Sequence, residues 1–306
     1  MARLILRRLL RAVAALLVVT AVVFTLLHVS GDPAYILLTP EATAEDRATF
    51  RSQYGLDRPL WVQYTRYLGR LTQGDFGQSL SFRIPAASVA LERLPATLEL
   101  TLAAMVLAVL VSIPAAVLAA VRRGTLFDRV LMALTLVGQT VPTFWLGMVM
   151  ILLLAVRFHL FPASGRGSWL HLVMPATALA LWLTALLARV TRSEMIEALE
   201  QDYVRTARAK GLAERGIAAR HALKNALLPI ITVMGLQFGG LLGGAVMTET
   251  VFAWPGVATL TVDSIRNQDF PVVQCAVVLL ALIIVSINFM VDMVVGYIDP
   301  RIRVGG

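Results

Sequence analysis

Charge is scarce in this sequence, and lysine occurs only twice. Asp, Glu, Lys and Arg make up 15% of the 306 residues, against about 25% in typical soluble domains. Hydrophobic residues reach 58%, and the mean hydropathy is +0.76. A soluble globule of this size buries only part of the apolar surface that it carries. The composition therefore predicts an integral membrane protein.

Several catalytic and ligand-binding motifs are also missing. Cysteine occurs once, as Cys275 in an apolar run, which excludes a disulfide framework and a thiolate metal cluster. Neither Lys210 nor Lys224 lies in the Gly-x4-Gly-Lys-Ser/Thr loop that cradles nucleotide phosphates. The sequence also lacks His-Glu-x-x-His and Gly-x-Ser-x-Gly motifs. We expect no enzymatic activity and no metal or cofactor bound by this chain.

Long apolar segments are present instead. A helix needs about 20 apolar residues to cross a bilayer core of about 30 Å. The segments that satisfy this length are Ala12–Val29, Ala96–Val121, Val130–Val156, Ser168–Ala188, Ala226–Val251 and Val272–Ile298. Pro114, Pro142 and Pro175 lie inside three of them and indicate kinks. The sequence predicts an all-α bundle of six transmembrane helices. The first is predicted to be an uncleaved membrane anchor, because the residues that follow it lack the Ala-x-Ala pattern of a signal-peptide cleavage site.

Basic residues indicate the orientation of these spans. Of the 27 Lys and Arg residues, 17 fall on the side that holds both termini. Since basic residues favour the cytoplasmic side, we expect the N-terminus and the C-terminus in the cytoplasm. This topology accounts for the net charge of +8, so we expect no nucleic-acid partner.

The spans divide the chain into four predicted parts. Residues 1–29 form a cytoplasmic tail and the first span, 30–94 an external loop with amphipathic helices, 95–297 a five-helix domain, and 298–306 a cytoplasmic tail. In the external loop, Thr43-Ala-Glu-Asp46 predicts a capping box and Gly55 a helix end. Pro59 predicts the start of a second helix. One side of this helix holds Trp61, Tyr64, Leu68 and Leu71, a pattern typical of an amphipathic helix in the headgroup region.

The polar segment 189–225 lies between the fourth and fifth spans. Ser193 predicts a helix start, and Gly211 predicts a helix end. Small residues at Ala207, Ala209 and Gly211 give the segment a low profile against which a partner could pack. On residue pattern alone the segment is either a solvated loop or a helical docking site.

A family resemblance favours the docking site. The run Asp202-Tyr-Val-Arg-Thr-Ala-Arg-Ala-Lys-Gly211 resembles the cytoplasmic signature loop of binding-protein-dependent ABC importer permeases. Ala207, Gly211 and Leu223 match the general signature, whereas Arg205 and Lys224 stand where it has Glu and Pro. The resemblance implies coupling helices that dock on ATPase subunits, with Tyr203, Ala207, Gly211 and Leu223 as the coupling residues.

Further stretches are similar to one branch, the first permease subunit of dipeptide, oligopeptide, glutathione and nickel importers. They lie at residues 31–33, 54–59, 74–77, 189–192, 221–226, 254–256 and 299–301. The resemblance implies a type I importer bundle in a prokaryotic inner membrane. It also implies a homologous second permease, two ATPase subunits that bind ATP, and an extracytoplasmic solute-binding protein. Short peptides are the implied cargo, with glutathione or a nickel complex as alternatives.

The fifth and sixth spans offer candidate pathway residues. Gly235, Gly239 and Gly243 share one helix face, which serves either static packing or movement when the pore opens. Glu249, one of few ionisable groups at membrane depth, either reaches headgroup water or lines an outer gate. This sparse charge argues against the alternative of a stand-alone ion-coupled carrier. A membrane scaffold or intramembrane enzyme is the other alternative, and no motif supports it.

Overall fold

The computed structural model describes residues 2–30, 43–54 and 57–298. Regular structure in this part of the chain is helical, apart from an isolated antiparallel bridge between Gln78 and Pro85. The motifs at 31–33 and 299–301 and the helix end predicted at Gly55 lie outside the described residues.

The helices of the described residues are numbered in chain order. They are α1 (Ala2–Ser30), α2 (Ala44–Tyr54), α3 (Leu60–Leu71), α4 (Ala86–Val121), α5 (Leu126–Thr140), α6 (Thr143–Met150), α7 (Trp169–Leu199), α8 (Asp202–Ala209), α9 (Glu214–Gly216), α10 (Leu223–Val251), α11 (Val257–Arg266) and α12 (Phe270–Ile298). The π-helical segment Ile151–Arg157 continues α6, and Ile217–Ala222 leads into α10.

The described residues contain five helices that are long and apolar enough to cross a membrane. These spans are Ile5–Thr25, Ala86–Val121, Trp169–Leu199, Glu214–Val251 and Phe270–Gly296. A sixth span results when Leu126–Thr140 and Thr143–Arg157, which meet at an angle of 99°, are counted as one. The predicted all-helical membrane architecture is confirmed.

The third predicted span is broken rather than kinked. Pro142 was expected inside a helix, but it lies between α5 and α6, and Val141 before it is extended with ψ of 119°. Proline lacks an N–H and disfavours the helical conformation of the preceding residue. By contrast, Pro114 and Pro175 lie inside α4 and α7 as predicted.

The fourth predicted span continues well beyond its expected end. The sequence places its end at Ala188, yet α7 runs to Leu199 and includes Ser193, so a helix start at Ser193 is wrong. Thr191, Met195 and Ala198 are buried along this extension. A helix face that packs against neighbours therefore keeps the extension helical despite its polar residues.

The chain divides into two compact units, each of which has its own core. Among the described residues, the larger comprises 96–255 and 286–298. Its core combines large side chains such as Leu183, Leu187 and Ile230 with many alanines, among them Ala104 and Ala108. Small residues allow close approach of membrane helices.

The described residues of the smaller unit are 2–30, 43–54, 57–95 and 256–285. Its core includes Ala86, Val89, Leu260, Val272 and Cys275. A loop that precedes α4 is fixed by the buried carboxylate of Asp269. That carboxylate accepts hydrogen bonds from the hydroxyl of Ser79 and from the backbone N–H groups of Leu80 and Ser81.

The predicted helix starts in the external loop are confirmed. The N–H of Asp46 donates to Thr43 Oγ1 at 3.1 Å, and the N–H of Thr43 donates to the Asp46 carboxylate at 2.9 Å. Pro59 is the N-cap of α3. Trp61 is 72% exposed, whereas Tyr67 is buried beside Phe24. The location of this helix in the headgroup region stays a prediction. Burial raises the pKa of Tyr67 to about 12.

Candidate functional site

The helix α8 carries two of the four residues that the sequence assigns to coupling, Tyr203 and Ala207. Its inner face is short and apolar, with Val204 and Ala207 buried against Ile217 of the π-helical segment. Tyr203 is 38% exposed, and Arg205 and Thr206 are exposed as well. The helix therefore packs on the larger unit along one side and presents a polar face on the other.

The chain reverses immediately after α8. Gly211 has φ of +74°, a left-handed conformation that favours glycine, and its N–H donates to the carbonyl of Arg208 at 2.9 Å. This confirms the helix end predicted at Gly211. Arg208 also donates to both carboxylate oxygens of Glu214, at 2.7 and 3.3 Å. The hydrogen bond with Glu214 raises the pKa of Arg208, so this exposed turn is closed by a charged pair.

The four predicted coupling residues do not form one surface. Tyr203 and Gly211 are exposed. Ala207 faces inward, and Leu223 packs against the core of the larger unit. A partner could therefore contact Tyr203 and Gly211 directly, whereas Ala207 and Leu223 determine how α8 and the start of α10 are seated.

Polar contacts tie the end of α7 to α5. Arg192 donates through Nε and Nη2 to the carboxylate of Asp128, the latter at 2.7 Å. Asp128 is buried and also accepts the N–H of Gly124 at 2.9 Å. One turn earlier, Arg189 donates to Gln139 Oε1 at 2.8 Å. These contacts fix the part of α7 that leads into α8.

Sequence reasoning missed the role of Asp128. The available signal was the pair Arg189 and Arg192, three residues apart at the end of an apolar segment. Basic groups with this spacing lie on one helix face, and where that face packs on a neighbouring helix they require acceptors there. The partner itself lies 64 residues away in the sequence.

A groove adjoins α8 on the side of α7. Its lining comes from the end of α7, the start of α8 and the start of α10, and its volume is about 220 Å³. The polar residues of the lining are Glu194, Glu197, Gln201, Tyr203 and Asn225, and two alanines complete it. The groove thus brings together side chains that are widely spaced in the sequence.

The Val251 end of α10 holds polar groups that are fully buried. Glu249 has no exposed surface, and it accepts a hydrogen bond from Thr97 Oγ1 at 2.6 Å. The interpretation that Glu249 reaches headgroup water is therefore wrong. Trp254 is equally buried and donates through Nε1 to the carbonyl of Ala96 at 2.8 Å, while its N–H donates to the carbonyl of Glu249.

An ion pair lies beside Trp254. Arg166 donates to the carboxylate of Glu99, with a shortest distance of 2.6 Å, and the guanidinium carbon lies 5.9 Å from the centre of the Trp254 ring. The N–H of Gly165 donates to the carbonyl of Phe252. These contacts connect the loop before α7 with the turn after α10.

The three spaced glycines of α10 have different surroundings. A Cβ atom at Gly235 would overlap the side chain of Val291, so this glycine permits close packing of α10 and α12. Gly239 is half-buried. Gly243 is exposed, and a Cβ atom there would meet open space among the described residues. Gly235 therefore serves the static packing of two helices. The pathway role of Gly239 and Gly243 stays a prediction.

Family models match nearly the whole chain. One model, described as "Binding-protein-dependent transport system inner membrane component", matches residues 112–304. A second, for the N-terminal part of such membrane components, matches residues 1–101. The helix α8 and the pair of Arg192 and Asp128 thus fall within the first match.

Individual proteins are similar over the same length. The dipeptide transport system permease protein DppB of Escherichia coli (strain K12) is 40% identical, with 99% of each chain covered. The glutathione transport system permease protein GsiC of Salmonella paratyphi A is 42% identical, with 98% of each chain covered. A solved structure of the MetNI methionine ABC transporter in inward-facing conformations has a TM-score of 0.57. The match is 19% identical in sequence and covers 69% of this chain and 96% of the solved chain. It therefore shows similarity of fold alone.

Proposed function

We propose that this chain, which belongs to the family of binding-protein-dependent transport system inner membrane components, forms half of the path by which an ATP-driven importer moves short peptides. The observation that carries this proposal is the exposed polar face of α8, which is seated on the larger unit by Val204 and Ala207. A helix of this kind offers a contact surface without any catalytic group.

The proposed cargo follows from the chemistry of the relatives' substrates. DppB is named for dipeptide transport and GsiC for glutathione transport. Both substrates are small and peptide-like. Dipeptides or other short peptides are therefore the first candidates for this chain, and glutathione is the alternative.

The energy source and partners are also part of the proposal. The sequence has no phosphate-binding loop, so ATP is to be bound by two partner ATPase subunits and no cofactor by this chain. A homologous second permease completes the path, and an extracytoplasmic solute-binding protein delivers the substrate. ATP binding must favour the outward-facing state through contacts that differ between the two states.

The helix α10 connects the proposed coupling site with the far side of the bundle. It begins beside the π-helical segment that packs on α8, and its 29 residues extend about 44 Å. A displacement of α8 would therefore reach Glu249 through one continuous helix. Gly239 and Gly243, which lie between these two ends of α10, are the proposed pathway positions.

We also propose that both termini lie in the cytoplasm. Counting the bent pair of α5 and α6 as one crossing gives six spans, and an even number places both termini on one side. Most of the Lys and Arg residues lie on that side, as cytoplasmic loops require.

Reconstitution of the complete transporter tests this function. Proteoliposomes with both permeases, the ATPases and the solute-binding protein are expected to accumulate a labelled dipeptide only when ATP is supplied to the ATPase side. Glutathione is measured in parallel to separate the two cargoes. Uptake by this chain alone along an ion gradient would contradict the proposal.

A variant pair tests the coupling role of α8. Tyr203→Ala removes an exposed aromatic ring and is expected to lower substrate-stimulated ATP hydrolysis about tenfold, as truncation of a central interface aromatic does. Trp169→Ala, which removes an exposed ring at the opposite end of α7, is the matched control. Equal activity of the two variants would show that α8 is not the contact.

A further inference from the structure

The short helix α3 is held against the spanning helix α1. The hydroxyl of Tyr64 donates to the carbonyl of Leu17 at 3.0 Å and lies 2.9 Å from Thr20 Oγ1. The ring centroids of Tyr64 and Tyr67 lie 5.4 and 5.9 Å from that of Phe24. These contacts all lie within the smaller unit. They fix the position of α3 along α1.

The contacted part of α1 sets the depth of α3 in the membrane. The spanning segment of α1 is Ile5–Thr25, so its midpoint is Ala15. Leu17 and Phe24, the first and last contacted residues, both lie in the half that ends at Thr25. The helix α3 is therefore held at the level of the lipid leaflet on the Thr25 side, and its exposed side chains face that leaflet.

One flank of α3 suits the acyl chains of this leaflet. Successive residues of a helix are about 100° apart, so Trp61 and Leu68 lie together on one side of the face formed by Tyr64 and Tyr67. Leu60 and Trp61 are 57% and 72% exposed. Tryptophan is enriched where the apolar layer of a membrane meets the headgroups. This flank is therefore expected to insert into lipid.

The opposite flank of α3 is basic. Arg66 and Arg70 are exposed and lie one helical turn apart. Neither arginine forms an ion pair among the described residues. The next acidic residue along the chain, Asp75, uses its carboxylate to accept the N–H of Gly77 at 2.9 Å. Two guanidinium groups on one flank thus have no acidic partner within the described part of the chain.

A buried hydroxyl group adjoins the basic flank. Tyr67 is 4% exposed, and its Oη has no hydrogen-bond partner among the described residues. Buried tyrosine hydroxyls usually have one. Tyr67 precedes Arg70 by three residues, so the two side chains are neighbours on the helix surface. An anion held by Arg70 can supply the acceptor that the hydroxyl lacks.

We propose that Arg66, Arg70 and the hydroxyl of Tyr67 bind the phosphate of an anionic phospholipid in the leaflet on the Thr25 side, while Trp61 inserts among the acyl chains. Guanidinium groups match phosphate oxygens with paired N–H donors. A basic residue near an anionic lipid surface contributes about a fivefold preference for it. The bound lipid attaches the segment between α1 and α4 to the membrane surface.

Quenching by brominated lipids tests this proposal in the full chain. A bimane fluorophore is attached to Trp61→Cys in vesicles with equal amounts of phosphatidylglycerol and phosphatidylcholine, of which only one carries brominated acyl chains. The native thiol of Cys275 is buried and reacts slowly. We expect both brominated lipids to quench the probe, and phosphatidylglycerol to quench it about threefold more strongly. Absence of quenching would place α3 in water and overturn the proposal.

Variants in the same labelled chain test the phosphate site. Arg66→Gln with Arg70→Gln is expected to abolish the preference for phosphatidylglycerol, while quenching itself remains. Tyr67→Phe keeps the ring and is expected to reduce the preference about twofold. The matched control is Arg205→Gln with Arg215→Gln, which removes two exposed arginines of α8 and α9 and should keep the full preference. An unchanged preference in the first double variant, or an equal loss in the control, would overturn the proposal.

Discussion

Polar groups differ in burial and hydrogen bonding between the two ends of α10. At the Val251 end, Glu249 and Trp254 are fully buried, and their hydrogen bonds go to Thr97 and Ala96 of the same unit. At the Leu223 end, the neighbouring groove holds carboxylates and amide oxygens without partners in the described chain. Buried polar groups require partners, whereas exposed ones are satisfied by water or by another molecule. Polar groups are therefore satisfied within the chain at one end, whereas at the other end most of them are exposed.

Substitutions at the two ends of α10 are therefore expected to change different properties. Interactions that are complete within the chain contribute to its stability whether or not a partner is present. Interactions that await a partner contribute only on assembly. Substitutions at the Val251 end should thus affect unfolding most, and those around α8 should affect coupling more than unfolding.

The largest effect is expected for Trp254→Ala. Removal of a fully buried indole typically costs about 3–5 kcal/mol, and here the carbonyl of Ala96 also loses its donor. Unfolding of the purified chain by SDS in mixed micelles measures this change. Trp61→Ala, which removes a ring that is 72% exposed, is the control. Similar losses in the two variants would remove the contrast between the ends of α10.

A smaller effect is expected for Arg192→Ala, which leaves Asp128 buried without its guanidinium partner. Breaking a buried ion pair costs about 3–5 kcal/mol, and we expect about 2–3 kcal/mol because the Arg192 side chain is 22% exposed. The same unfolding assay checks it. Arg123→Ala breaks an exposed pair with Glu200 and is expected to cost less than about 1 kcal/mol. Equal costs would show that burial of Asp128 is unimportant.

The smallest effect is expected for Gly211→Ala, where a left-handed backbone disfavours a side chain. The cost is about 1 kcal/mol, while ATPase coupling should fall more strongly because the turn after α8 shifts. Gly216→Ala is the matched control, because Gly216 lies in a helix with open space around it, and it is expected to be neutral or stabilising by about 0.4–1 kcal/mol. A gain of stability in Gly211→Ala would contradict this account.

Local signals were sufficient for many elements of the fold. Apolar segments of sufficient length predicted the spanning helices, since a bilayer leaves few alternatives for the backbone. The capping box at Thr43, the N-cap at Pro59 and the left-handed turn at Gly211 were also predictable. In each case the decisive interaction lies within a few residues of the signal.

Long-range partners determined the features that the sequence did not reveal. The extension of α7 to Leu199 packs on neighbouring helices, and within it Arg192 donates to Asp128 of α5. Whether Pro142 kinks or breaks a span depends on which neighbours satisfy the freed backbone groups. The inward direction of Ala207 likewise depends on Ile217. A pattern within one segment carries no information about these neighbours.

The burial of Cys275 makes the chain a convenient subject for spectroscopic labelling. This thiol is the sole cysteine of the sequence and lies in the core of the smaller unit. A reagent that attacks exposed thiolates will therefore react slowly with the native chain. Paramagnetic or fluorescent probes placed at chosen positions along α8 and α10 would report distances between defined sites during a transport cycle, without prior removal of native thiols.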